Sequence, residues 1–87
     1  MGKYVVNTYS TIRKTNGDTF RREGFSKVVS EKVLKLAKQA NKEVGYKYVG
    51  RFKDTQGRYY NKYAYVSKEY STEEREVTYF VTITKLK

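Results

Sequence analysis

Hydrophobic and polar positions alternate with a period of two at both ends of this chain, and with a helical period only in its middle. Lys3 to Lys14 (KYVVNTYSTIRK) is rich in β-branched and aromatic residues and reads as a strand. Thr15-Asn16-Gly17-Asp18 then supplies a hairpin signal, because Asn and Gly tolerate positive φ. Thr19 to Phe25 is expected to return antiparallel. A three-residue loop with Gly17 left-handed pairs Ile12 with Phe20 and puts two apolar side chains on one face. A two-residue turn would pair Ile12 with Arg21, so the longer loop is preferred.

Ser30 to Glu43 is the one segment with helical spacing. Ser30 is a good N-cap, Val29 can staple against Leu34, and Gly45 provides a left-handed stop. Val33, Leu36, Ala37, Ala40 and Val44 fall in a narrow apolar stripe with Leu34 at its margin. That stripe is expected to face a sheet.

Tyr46 to Lys53 and Arg58 to Lys68 read as a second hairpin around Asp54-Thr55-Gln56-Gly57. A loop ending in Gly57 pairs Phe52 with Tyr60, Tyr48 with Ala64 and Tyr46 with Val66 as a core face, interrupted where Gly50 meets Lys62. Ser71 to Arg75 is a polar connection with room for a short helical turn. Glu76 to Lys87 is a last strand with Val77, Tyr79, Val81 and Ile83 on one side. The predicted architecture is a single basic α+β domain spanning 1–87, ordered β-β-α-β-β-β. Its antiparallel sheet comprises two hairpins and a C-terminal strand, with one helix on one face and the other face free.

Composition adds two constraints. Ten Tyr against four Phe imply a thin core finished at its edges by rings whose hydroxyls reach water. Cys and His are both absent, which excludes disulfides, thiolate nucleophiles, Cys/His zinc sites and imidazole acid–base chemistry. Glu69, Glu73, Glu74 and Glu76 are interspersed with Lys68 and Arg75 and read as a solvated loop rather than a metal or catalytic set. No phosphate-loop or dinucleotide fingerprint occurs. The chain is therefore read as a non-enzyme with no cofactor and no metal. No apolar run approaches bilayer length and no apolar leader follows Met1, so a cytoplasmic protein without membrane contact is expected.

The net charge of +10 is uneven. Residues 46–66 carry five basic groups against Asp54 alone, whereas residues 67–87 are balanced. On the expected outer face of the second hairpin, Lys47, Val49, Arg51 and Lys53 stand opposite Tyr65, Tyr63, Asn61 and Tyr59. Lys62 is a further candidate that this register turns inward. Cations beside flat rings suit a nucleic acid, because phosphates are neutralised while bases stack. A nucleic-acid-binding face is the favoured reading, with single strands slightly preferred. Arg13, Lys14, Arg21 and Arg22 around the first hairpin, and Lys35, Lys38 and Lys42 on the helix, form a secondary basic patch. The same tyrosine face would also serve a protein-interaction module, such as an inhibitor or accessory subunit, or a homodimer. Plain sheet surface is the remaining reading, since Tyr–Lys pairs stabilise sheets on their own.

Overall fold

A computed structural model describes residues 2–86. Five strands, β1 (Lys3–Lys14), β2 (Thr19–Ser30), β3 (Lys47–Lys53), β4 (Tyr59–Val66) and β5 (Arg75–Leu86), form one antiparallel sheet in the order β2-β1-β5-β4-β3. The helix α1 (Glu31–Val44) packs on one face. This is the α+β arrangement expected from the sequence. Lys87, at the end of the expected last strand, lies outside the described residues.

Both hairpin loops take the three-residue form. Ile12 pairs with Phe20 and Phe52 with Tyr60, and Gly17 and Gly57 have φ of 93° and 82°. Around the second turn, one carboxylate oxygen of Asp54 accepts the backbone N–H groups of Gln56 and Arg58, at 2.9 and 2.8 Å. These bonds hold its carboxyl below the ordinary carboxylate range.

Strand β2 runs five residues beyond its expected end and enters α1 without a loop. Ser30 is both its last residue and the N-cap, accepting the N–H of Val33 at 3.4 Å. A bulge in β2, where Gly24 and Phe25 together stand opposite Thr8, bends this hairpin. Thr8 Oγ1 accepts the N–H of Phe25 at 2.9 Å, and a Cβ on residue 24 would lie 2.8 Å from the Thr8 carbonyl oxygen. Gly24 is therefore required by close approach rather than by φ.

The core is small: Val6, Leu34, Val81 and Ile83 are buried together, with Tyr4, Val29, Tyr46 and Tyr63 packed around them. Val77 is buried separately beneath the 67–71 turn, whose Ser71 Oγ accepts the Val77 N–H at 3.0 Å. The expected short helical turn at 71–75 is instead a tight β-turn closed between Thr72 and Arg75.

Two face assignments differ from expectation. The helix meets the sheet through Leu34, Ala37 and Asn41, leaving Val33, Leu36 and Val44 exposed. With Ser30 joined directly to β2 and β3 starting at Lys47, the connections at both ends fix the rotation of α1, overriding its apolar stripe.

The second hairpin is also turned over. A bulge at Val49 moves Tyr48 opposite Tyr63 and Lys47 opposite Ala64, not Tyr65. Pairing with β5 then sets Tyr63 beside the buried Val81, so its side of the hairpin faces the helix. Phe52, Tyr60 and Lys62 consequently lie on the uncovered face. Rings occur on both faces of this hairpin, so alternation alone does not choose between them.

Candidate nucleic-acid interface

Alternation along the strands places one residue from each of the five on the uncovered face in a continuous row: Arg21, Tyr9, Phe80, Lys62 and Phe52. Tyr9 and Phe80 are directly paired across β1 and β5, and their rings stack with centroids 4.8 Å apart and planes at 16°. The Arg21 guanidinium lies 3.9 Å from the Tyr9 centroid. The Lys62 ammonium lies 4.5 Å from Phe80 and 5.5 and 5.8 Å from Tyr9 and Phe52. Phe52 in turn stacks on Tyr60 at 5.8 Å. The rings are thus shared among cations, each contact contributing about 0.5–1 kcal/mol where water has access.

This face is concave. Ser26 on β2 and Asp54 in the β3–β4 turn line the same hollow of about 420 Å³, together with Asn7, Tyr9, Arg21, Tyr60 and Thr82. Elements from opposite margins of the sheet therefore curve round a common trough. The hollow itself holds Arg21 with Glu23 and Asp54, and Lys62, a cation of this face unpaired among the described residues, lies beside it on β4. Among the described residues, carboxylates pair with Arg13 (Glu76, 3.6 Å), Arg21 (Glu23, 2.6 Å) and Arg58 (Asp54, 3.5 Å). Lys62 has rings for neighbours and no carboxylate within ion-pair distance among those residues.

The residues singled out from the sequence divide between the faces. Lys62 and Lys47 are on the open one, with Lys47 beside Ala64. The inward orientation expected for Lys62 is corrected, because β4 is inverted relative to the core. Arg51, Lys53 and Tyr59 form a cluster of their own near the hairpin tip on the helix-bearing side, with the cations 4.6 and 5.7 Å from the Tyr59 ring. Tyr63 packs against the core and Tyr65 against Tyr46 at 5.5 Å, so neither ring lies on the open face. Burial, followed by the nearby Tyr79 and Tyr65 hydroxyls, raises the pKa of Tyr46.

Within the secondary patch, Arg13 and Arg21 face the open side, whereas Arg22 lines a hollow with Tyr46 and Tyr79. Lys14 lies 5.2 Å from the Phe20 ring. Lys38 and Lys42 line a cavity of about 300 Å³ with Tyr46, Tyr48 and Tyr63, and Lys35 is exposed on the helix.

Sequence reasoning did not select Tyr9, Phe52, Tyr60 or Phe80 for the site. A signal for Phe80 was present: the core series Val77, Tyr79, Val81 and Ile83 leaves it on the outward side among Thr78, Thr82 and Thr84. Comparison of the chain with protein families, curated proteins and solved structures yields no match.

Proposed function

We propose that this protein binds single-stranded nucleic acid, without catalysis, in the trough on the uncovered face of its sheet. The observation that carries the reading is the Arg21–Tyr9–Phe80–Lys62 row, in which a central ammonium is paired with aromatic faces. A base can replace a cation on a ring, and the released cation can move to a neighbouring phosphate. Stacking is worth about 1–3 kcal/mol per base. Neutralised phosphates release counterions and make affinity salt-dependent. Lys47 extends the positive track along β3, while Glu23 and Asp54 disfavour phosphate at their part of the trough. An unpaired strand fits this reading because its bases are free to stack, whereas those of a duplex are already stacked on one another.

The test is a salt-titrated anisotropy measurement with labelled single-stranded and duplex DNA and RNA. The single strands should bind best, with log affinity falling linearly against log salt. Phe80→Ala should weaken single-strand binding by about 1–3 kcal/mol with little change in slope. Replacing Lys62 and Arg21 by Gln should reduce the slope by about 1.4 units if each contacts one phosphate of a single strand. Unchanged affinity and slope in the folded double variant would exclude this trough as the phosphate-binding surface. A wild-type protein that binds none of the four polymers at low salt would sink the proposal and return the face to a protein partner.

A further inference from the structure

The apolar stripe of α1 is unpartnered. Val33, Leu36, Ala40 and Val44 recur at spacings of three and four and share one flank. Val33 is 48%, Leu36 64% and Val44 58% exposed. Lys38 and Lys42 occupy the flank turned toward β3 and β4, as their cavity with Tyr48 and Tyr63 requires. The stripe is therefore turned away from the helical lysines at 35, 38 and 42, and only its C-terminal end, at Val44, borders the second hairpin, in a hollow with Lys47, Val49 and Ala64.

Surface area gives an independent measure of what is missing. The chain exposes 6911 Å², whereas a typical folded monomer of its mass exposes roughly 5,400 Å². Its radius of gyration is 14.1 Å, against about 12 Å for a compact domain of this length. The excess of roughly 1,500 Å² per chain, to which the uncovered sheet face also contributes, is large enough to accommodate the roughly 2,000–5,000 Å² in total that obligate homodimers bury.

We infer that the stripe is the apolar centre of a homodimer interface in which two α1 helices pair antiparallel about a two-fold axis near residue 38. That arrangement is self-complementary in both shape and charge. Val33 meets the partner's Val44, and Leu36 meets the partner's Ala40. Lys32 and Glu43 border the stripe on the same side, so the axis sets Lys32 opposite the partner's Glu43 and repeats the pair. This interface lies on the helix layer and leaves the trough uncovered, so it does not depend on nucleic-acid binding.

Sedimentation equilibrium of nuclease-treated full-length protein over a wide concentration range tests the inference. The expected mass is twice 10.3 kDa. Leu36→Glu, at an exposed position, should weaken dimerisation by at least about tenfold, as expected for loss of a central interface anchor. Lys32→Glu and Glu43→Lys should each weaken it, while the double exchange restores it because opposite charges face each other again. This rescue decides the matter even if Leu36→Glu fails to fold. A wild-type monomer throughout the range would overturn the inference, whatever other protein the stripe binds. So would a dimer indifferent to both the Leu36 and the charge substitutions, or a double exchange no better than its single parents.

Discussion

The two faces of the sheet use the same kinds of ring for different ends. On the helix-bearing face, Tyr4, Tyr46 and Tyr63 surround Val6, Leu34, Val81 and Ile83 and help to exclude water. On the open face, Tyr9 and Phe80 stack on each other and are flanked by Arg21 and Lys62. Aliphatic neighbours make a ring part of a core. Cationic neighbours keep it soluble and leave its face exchangeable. An aromatic strand residue is therefore interpreted through the side chains on adjacent strands rather than through its own hydrophobicity.

The largest effect should come from replacing one residue on each face. Ile83→Ala removes a buried side chain from a core of few members and should cost about 2–5 kcal/mol, read as a lower urea midpoint with little change in slope. Phe80→Ala should cost less stability than Ile83→Ala, about 0.5–1.5 kcal/mol for the aromatic pair plus the partial burial of the ring, while it also lowers nucleic-acid affinity. Equal losses of stability would break the distinction between the faces, because the open row would then be acting as a second core.

Gly24→Ala probes the curvature that makes the open face a trough. Its new Cβ would collide with Thr8 Oγ1 and the Thr8 carbonyl oxygen, so the bulged hairpin must shift. The expected cost is about 1–3 kcal/mol by overpacking, with a parallel change in the Tyr9 environment measurable by NMR. A folded variant with unchanged stability would show that the close approach tolerates a Cβ.

Ser30→Ala is a smaller test on the opposite layer. Loss of the cap to Val33 should cost about 1 kcal/mol in the thermal or urea midpoint. Because the trough is built without α1, nucleic-acid affinity of the folded protein should stay unchanged.

What was legible in the chain follows the same division. The element order, the Ile12–Phe20 register, both hairpin loops and the Ser30 and Gly45 caps depend on local chemistry and are visible in the sequence. The orientation of the second hairpin is not, because it carries aromatic residues on both faces. Only the pairing of Tyr63 with Val81 fixes which side meets the helix. The Val49 bulge adds a one-residue shift that the neighbouring Gly50 marks without specifying which residue is left unpaired. Helix rotation was likewise set by its loop-free connection to β2, against the apolar stripe. The candidate site moved with these choices: Lys47 stays on the open face and Lys62, expected inward, joins it, whereas Arg51, Lys53 and Tyr59 lie on the other.

The smallest effects should appear on titration, with opposite signs at the hairpin tip and beside the helix. Hydrogen bonds from the N–H groups of Arg58 and Gln56 to Asp54 lower its pKa from the ordinary 3.8. The folded state therefore favours the carboxylate. This contribution is present above 3.8 and is lost as pH falls through the lower folded value. Asp54→Asn should lower the thermal midpoint at neutral pH and narrow its difference from wild type on acidification. For Tyr46, burial and the Tyr79 and Tyr65 hydroxyls raise the folded pKa above 10.0, so folding favours the neutral phenol. Stability should fall as pH rises from 10.0 toward that higher value, and Tyr46→Phe should remove this part of the alkaline loss. Parallel melts of wild type and both variants at acid, neutral and alkaline pH provide the check. If Tyr46→Phe and wild type lose stability equally above pH 10.0, ionisation of this ring is not coupled to unfolding of the helix-bearing face.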